Sequence, residues 1–208
     1  LVMIHIQRIE RVQGLTGLGS VNVFVGLPNT GKTTALAAVL DAFKPEAFVW
    51  LSLADVTTNQ PGLPTAVNAR VMALLNAGAN WASGGVLLLE NVLDLLHPTH
   101  YPAVVARLMT AIQAGSLQVF IETHSLAVID ALIGYDGRTR KDHSLCGPDH
   151  NACRSYNDMP FSEKHVADVA LRQHTVVFGF QPGSVLCYPG PDLFDWRDSV
   201  DLDPRWPR

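Results

Sequence analysis

Hydrophobic residues along the chain fall into short runs of strand length, separated by segments with helical character. Continuous apolar runs are typical of parallel strands that are covered on both faces. They predict strands over 21–25, 47–53, 85–90 and 117–123. Near the start, residues 3–12 roughly alternate apolar and polar side chains, which predicts a half-exposed antiparallel edge strand. Residues 175–180 and 184–188 flank Gln181-Pro182-Gly183, which predicts a C-terminal hairpin.

The segments between these strands combine high helix propensity with apolar residues spaced three and four apart. They predict helices over 33–43, 65–76, 101–114 and 125–133. Thr65 and Ser125 are the expected caps of two of them, and Ser162 could cap a further helix. Strands that alternate with helices indicate an α/β fold, with a mostly parallel sheet sandwiched by helices.

Composition narrows the class of protein. The 208 residues suit one domain over 1–208, with a polar insertion at 134–157 and an irregular tail at 189–208. Charged residues make up 16%, below the roughly 25% of typical domains, which predicts a large core or a surface buried against a partner. The net charge of −4 offers no general basic surface for nucleic acid. We find no apolar run of ~18 residues, no signal pattern and no disulfide framework, so we expect a cytoplasmic protein outside the membrane.

The segment from Gly26 to Thr33 matches G-x-x-x-x-G-K-[ST] in full, between a predicted strand and a predicted helix. Glycines let successive backbone N–H groups face one phosphate, and the helix N-terminus adds positive potential. Lys32 supplies the charge for the β- and γ-phosphates, and the Thr33 hydroxyl is a Mg²⁺ ligand. The predicted nucleotide-binding residues are Gly26, Pro28, Asn29, Thr30, Gly31, Lys32, Thr33 and Thr34.

A magnesium site beside such a loop usually also uses a carboxylate at the end of a neighbouring buried strand. The apolar run that begins at Gly85 ends in Glu90, which supplies a carboxylate at that place. Thr33 and Glu90 are therefore the predicted Mg²⁺ ligands.

Two segments resemble the ABC-type ATPase domains of the RecF/SMC-related and OLD-like AAA family ATPases of bacteria. They are residues 90–98, which contain Leu96-His97-Pro98, and residues 118–125, which contain Thr123-His124-Ser125. The family reads roughly Leu-Ile-Asp-Glu-Ile-Glu-Asn-Gly-Leu-His-Pro and Val-Phe-Ile-Thr-Thr-His-Ser there. The resemblance implies ATP as the nucleotide, a homodimer that forms around it, and a protein effector in DNA repair or phage defence. Nucleic acid would be reached through that complex.

By this resemblance, His124 is the switch histidine that contacts the γ-phosphate. His97 would lie at the turn between subunits, with a purely structural role as the alternative. The chain departs from the family at Glu90, where the family has its metal-linked aspartate, and at Asn91, where it has its catalytic glutamate. An amide can orient a water but cannot accept its proton. The candidate catalytic residues are Lys32, Glu90, Asn91 and His124, and we expect hydrolysis to be slow or absent.

Two other functions stay open at this point. A P-loop small-molecule kinase could use Arg138, Arg140 and Arg154 as a lid, although residues 44–65 lack the arginine that an acceptor site needs. Asn91 also fits a nucleotide-binding regulatory subunit that does not hydrolyse. Phosphate release measured with and without candidate acceptors separates hydrolysis, transfer and neither.

The polar insertion contains a cluster of potential zinc ligands at short spacing: His143, Cys146, His150 and Cys153. Tetrahedral zinc takes four such ligands, but structural sites usually separate two ligand pairs by a longer loop. A polar surface loop with incidental cysteines and histidines is therefore the alternative reading.

If these four side chains bind zinc, protein purified without added metal contains stoichiometric zinc by elemental analysis. A preparation that contains no zinc contradicts the site.

Overall fold

We describe the protein from a computed structural model, for residues 11–12, 15–42, 48–58, 61–77, 85–114, 117–134, 171–193 and 196–197. The strands are β1 (Arg11–Val12), β2 (Leu15–Thr16), β3 (Val21–Gly26), β4 (Phe48–Ser52), β5 (Gly85–Glu90), β6 (Leu117–Thr123), β7 (Thr175–Gln181) and β8 (Ser184–Pro189). The helices are α1 (Lys32–Ala42), α2 (Leu53–Thr57), α3 (Val67–Ala77), α4 (Tyr101–Gln113) and α5 (Leu126–Ile133).

Six of the strands form one sheet in the order β4-β5-β6-β3-β7-β8. Neighbouring strands are parallel from β4 to β7, and β8 is antiparallel to β7. Helices and apolar side chains cover both faces, because α1 packs on one face and α3, α4 and α5 contribute to the core on the other. The α/β architecture predicted for a P-loop NTPase, with its mostly parallel sheet and C-terminal hairpin, is confirmed.

The central strand β3 is buried along its whole length. Phe24 points to the α1 side of the sheet, and its ring contacts three other phenylalanine rings with centroids 5.2 to 6.0 Å apart. Those rings belong to Phe120, Phe178 and Phe180. Valines at 21, 23 and 25 enter the core on the opposite face. This two-sided burial explains why the strand reads as a continuous apolar run.

The N-terminal part differs from the prediction. Arg11–Val12 pairs antiparallel with Leu15–Thr16, and this two-stranded ladder is separate from the six-stranded sheet. The rest of the predicted edge strand, residues 3–10, lies outside the described residues. The alternation of polar and apolar residues near 11–12 therefore marks a short local ladder.

Two expected helix caps also differ. Helix α3 begins at Val67, two residues after Thr65. Ser125 does occupy the N-cap of α5, but its side chain makes no capping hydrogen bond. The predicted helix after Ser162 lies outside the described residues, as does most of the insertion at 134–157.

Part of the C-terminal tail packs on the core. After β8, a single helical turn covers Gly190–Asp192, and both Leu193 and Trp196 are buried. Arg197 forms an ion pair with Asp130 of α5, through its Nε and through Nη2 at 3.0 Å. Within the described residues, no helix is long and apolar enough to cross a membrane.

Strands β3 and β7 approach closely where the phosphate loop begins. A Cβ on Gly26 would lie 2.3 Å from the carbonyl oxygen of Phe180, and Gly26 has a φ of +154°. Backbone atoms cannot yield as the tip of a side chain can. Gly26 is therefore required by the sheet as well as by the loop.

We predict that Gly26→Ala lowers the free energy of unfolding by about 3 kcal/mol or more, in the absence of nucleotide, because the new methyl group overlaps a backbone carbonyl. Gly17→Ala is the matched control, since Gly17 also has a positive φ, +75°, but no atom within 4 Å of the added Cβ. It should cost only about 1–2 kcal/mol of backbone strain. Urea unfolding measures both, and equal losses would contradict the steric explanation.

Candidate functional site

The phosphate loop connects the C-terminal end of β3 to the first turn of α1. Asn29 and Gly31 have positive φ angles of 63° and 95°, which turn the chain back toward the helix. The Thr30 hydroxyl donates to the carbonyl of Leu27 at 2.8 Å and closes the turn. The first N–H groups of any α-helix have no partner within the helix and attract anions. The loop therefore has the backbone geometry that phosphate binding requires.

Lys32 is almost completely buried, with 3% of its surface exposed. Its ammonium donates to the carbonyl oxygens of Gly26 at 3.1 Å and Leu27 at 2.8 Å. Burial lowers the pKa of Lys32, and the nearby carboxylates of Glu122 and Asp94 oppose that shift. The ammonium thus lies inside the loop, between neutral carbonyl groups that a phosphate oxygen can replace as a stronger acceptor.

A cleft of about 460 Å³ opens beside the loop. Six of the eight predicted nucleotide-binding residues line or form its wall, and Asn91 and His124 line it as well. The full lining is Pro28, Asn29, Gly31, Lys32, Thr33, Thr34, Asn91, Glu122 and His124. The structure therefore brings together most of the predicted site, and it adds one carboxylate that the sequence analysis did not single out.

That carboxylate is Glu122, near the end of β6. The Thr33 hydroxyl lies 2.9 Å from Oε2 and 3.1 Å from Oε1 of Glu122 and donates to this carboxylate. Glu122 is 3% exposed, and β6 pairs directly with β3. The one signal in the sequence is an acidic residue at the end of the otherwise apolar run 119–121. Only the pairing of β6 with β3 shows that this residue faces the loop.

Glu90, the predicted metal-linked carboxylate, has a different partner. It pairs in register with Glu122, so both lie on the same face of the sheet, one strand apart. Its Oε2 accepts a hydrogen bond from Nε1 of Trp50, on β4, at 3.0 Å. Glu90 is not among the described residues that line the cleft. Its side chain is thus directed toward the outer strand of the sheet.

Asn91 lies in the cleft with an unusual backbone and an unsatisfied side chain. Its φ is +55°, and its N–H donates to the carbonyl of Glu122 at 3.0 Å, which extends the pairing of β5 and β6 by one residue. Within the described residues, its Oδ1 is buried and has no hydrogen-bond partner. A buried polar atom without a partner costs about 1–3 kcal/mol, so its presence in a cleft is typical of a ligand-binding position.

His124 follows β6 and contacts the loop directly. Its Nδ1 lies 2.9 Å from the carbonyl oxygen of Gly26. A carbonyl oxygen only accepts, so Nδ1 carries a hydrogen and donates it in this contact. His124 is therefore hydrogen-bonded to the first residue of the phosphate loop. Contact with a γ-phosphate, its role by resemblance, stays a prediction.

Asp94 fixes the segment that carries His124. It lies in the single helical turn after β5, and it accepts hydrogen bonds from the Thr123 hydroxyl and from the backbone N–H of His124, the latter at 2.9 Å. Burial raises the pKa of Asp94, although those hydrogen bonds and the charges of His124 and Lys32 oppose the shift. Asp94 has no role that the sequence predicts, because nothing in the local pattern shows that this turn reaches β6.

His97 lies away from the cleft. It caps the helical turn Pro98–His100, its side chain contacts the Thr99 hydroxyl at 2.9 Å, and its N–H donates to Asn68 on α3. His97 thus has a local structural role, and its place at a subunit interface stays a prediction.

The proposed zinc ligands His143, Cys146, His150 and Cys153 lie outside the described residues. Among the residues that are described, no three His, Cys, Asp or Glu side chains are grouped to hold a metal ion.

Mg²⁺ does not need such a cluster of three side chains. It prefers oxygen ligands and binds through one or two carboxylates, waters and the phosphates of its nucleotide. The Thr33 hydroxyl, the Glu122 carboxylate and the unsatisfied Asn91 Oδ1 are oxygen donors of that kind. The cleft therefore fits Mg²⁺ with a nucleotide.

Comparison with known proteins adds little to this picture. No protein-family model matches the sequence, and no curated protein matches it either. One similar solved structure is Cdc6p from Pyrobaculum aerophilum, with 20% sequence identity and a TM-score of 0.35. The match covers 58% of this chain and 36% of that protein. A likeness of this degree assigns neither family nor activity, so function has to be argued from the cleft.

Proposed function

We propose that the protein binds a nucleoside triphosphate together with Mg²⁺ in the cleft beside the phosphate loop. The observation that carries the proposal is the joint geometry of Lys32, Thr33 and Glu122. A buried ammonium, a metal-binding hydroxyl and a carboxylate all meet at the start of α1. Positive charge together with the helix N-terminus suits the phosphates, and the two oxygen groups suit the cation that accompanies them.

Within this proposal, each residue of the cleft has a definite task. Backbone N–H groups of the loop and of the first turn of α1 hold the phosphates, and Lys32 moves from the Gly26 and Leu27 carbonyls to phosphate oxygens. Thr33 would bind Mg²⁺, which neutralises charge on the phosphates when it is bound. Asn91 orients a water or a phosphate oxygen through its amide. His124 is placed to follow any shift of Gly26 through the hydrogen bond to its carbonyl.

Hydrolysis should be slow in this arrangement. A carboxylate base at the position of Asn91 would take a proton from the attacking water, whereas an amide cannot. General-base catalysis is worth roughly 10²–10⁴-fold in rate. The residues that line the cleft therefore support binding of a nucleotide better than its rapid hydrolysis.

The finer part of the proposal comes from the family resemblance. It makes the nucleotide ATP and the protein an ABC-type ATPase module that forms a homodimer around ATP and controls an effector in DNA repair or phage defence. What supports it is the placement of His124 beside the loop and the turn with Leu96-His97-Pro98 after β5.

A second candidate function is a regulatory subunit that binds nucleotide and does not hydrolyse it. Asn91 favours it, since an amide lines the cleft where the family has its base. The kinase alternative has no comparable support, because Arg138, Arg140 and Arg154 lie outside the described residues. Phosphate release with and without acceptor molecules distinguishes all three.

We predict that the wild-type protein binds Mg-ATP with a Kd in the micromolar range or weaker, and that Lys32→Ala abolishes measurable binding. Each charge-assisted hydrogen bond from the ammonium to a phosphate oxygen is worth about 1.5–3 kcal/mol, or roughly tenfold to a hundredfold in affinity. Losing several of them should therefore raise a micromolar Kd beyond the measurable range. Calorimetry measures the affinity. Arg107→Ala, which removes an exposed cation on α4, is the matched control and should bind as wild type does. Unchanged affinity in Lys32→Ala would refute the proposed site.

We predict that Asn91→Glu raises ATP turnover by roughly tenfold or more, because a glutamate at this position could accept the proton of the attacking water. The ATP-bound dimer should also separate sooner, since by the resemblance its separation follows hydrolysis. Asn91→Ala should change turnover little. Steady-state phosphate release and size-exclusion chromatography with ATP measure the two effects. Brisk hydrolysis by the wild type, with no gain in Asn91→Glu, would show that Asn91 is not at the catalytic position and that another carboxylate, such as Glu90, is the base.

A further inference from the structure

Two carboxylates end neighbouring strands on the face of the sheet that carries the phosphate loop, and only one of them reaches that loop. Glu122 and Glu90 are register partners on β6 and β5. Because β6 lies between β5 and β3, Glu122 is next to the loop strand and Glu90 is one strand further away. The sequence alone predicts Glu90 for the cation, since it ends the more conspicuous apolar run.

The hydrogen bonds of the two carboxylates also place Glu122, and not Glu90, beside the phosphate loop. Both oxygens of Glu122 lie within 3.1 Å of the Thr33 hydroxyl, the group that binds Mg²⁺ in phosphate loops. Glu90 accepts from the indole of Trp50 on the outer strand β4. This hydrogen bond holds Oε2 of Glu90 beside the outer strand, away from Thr33.

The burial of Glu122 also favours the binding of a cation beside its carboxylate. At 3% exposure, its carboxylate is removed from water and requires compensating charge. Lys32 provides part of this charge and also has to serve the phosphates. A divalent cation beside Thr33 would compensate Glu122 once Lys32 has turned to the phosphates.

An independent observation concerns Asn91, which lines the same cleft. Asn91 Oδ1 is buried without a hydrogen-bond partner in the described part of the chain, while its backbone is tied to Glu122 at 3.0 Å. Mg²⁺ keeps several waters when it binds a nucleotide, and such waters need acceptors of this kind.

We propose that Glu122, rather than Glu90, is the carboxylate that holds the nucleotide-bound Mg²⁺, directly or through a metal-bound water, with Asn91 Oδ1 accepting from the hydration shell. The inference rests on the proposed function, because the cation enters with the nucleotide. Glu90 then serves to hold the end of β5 to β4 through Trp50.

The test compares nucleotide affinity with and without the cation. Calorimetric titrations with a non-hydrolysable ATP analogue are run in excess Mg²⁺ and in EDTA, for wild type, Glu122→Gln and Glu90→Gln. We expect Mg²⁺ to tighten binding to the wild type, and Glu122→Gln to lose about tenfold to a hundredfold of that gain. Affinity in EDTA should be equal or higher in Glu122→Gln, because a negative charge near the phosphates has been removed. Glu90→Gln should keep the gain from Mg²⁺.

Two further measurements separate loss of the cation site from loss of the fold. In Glu122→Gln, the side-chain amide oxygen can still accept the hydrogen bond of the Thr33 hydroxyl. The thermal unfolding curve of this variant should therefore stay close to that of the wild type. Glu122→Asp keeps the charge on a shorter side chain and should recover part of the gain from Mg²⁺. The electron paramagnetic resonance spectrum of Mn²⁺ with the ATP analogue reports the cation directly, and it should lose its bound signal in Glu122→Gln.

Each alternative result has a definite meaning. Loss of the Mg²⁺ gain in Glu90→Gln, with the gain retained in Glu122→Gln, would overturn the inference and restore the assignment predicted from sequence. Wild-type protein that binds the analogue equally well in Mg²⁺ and EDTA would overturn the inference and leave nucleotide binding intact. Wild-type protein that binds no analogue at all would contradict the proposed function and this inference with it.

Discussion

The buried ammonium of Lys32 is the constraint that organises the C-terminal edge of the sheet. An isolated charge removed from water is very unfavourable, so the surrounding chain must supply partners. Two loop carbonyls accept its hydrogen bonds, and the carboxylates of Glu122 and Asp94 lie near enough to oppose the effect of burial on its pKa. These carboxylates come from β6 and from the turn after β5. The buried charge thus connects three separate parts of the chain to one loop.

The strand order decides which side chains can reach that loop. Because β6 lies between β3 and β5, the residues at its C-terminal end lie closest to the loop. Glu122 lies within that end of the strand, and His124 directly follows it. Asn91 reaches the cleft because a positive φ redirects the chain directly after β5. Glu90, one residue earlier and still within the strand, stays beside Trp50. A difference of one residue therefore separates a side chain of the cleft from one that anchors the outer strand.

Much of the fold could be predicted because its signals are local. Apolar runs located β3, β5 and β6 to within a residue, and the G-x-x-x-x-G-K-T segment located the loop. The roles of Glu122 and Asp94 could not be predicted, since they depend on which strands pair and on how a turn crosses the sheet edge. The same holds for Asn22, a fully buried amide within β3, whose bonds to Gly19 and to the Val119 carbonyl clamp β3 to β6. Long-range pairing leaves no mark on the local pattern.

Asp94 illustrates why such residues are better explained by positioning than by stability. Its pKa is raised above the ordinary value of 3.8, so the folded chain holds the proton more tightly than the unfolded chain does. Folding therefore becomes less favourable as the pH rises through and above that value, and the ionised carboxylate stabilises the fold less than its protonated form would. In return, two hydrogen bonds fix Thr123 and the backbone of His124, which keeps the imidazole on the Gly26 carbonyl. The loop that holds Lys32 is thereby joined, through the hydrogen bonds of His124 and Asp94, to the turn after β5.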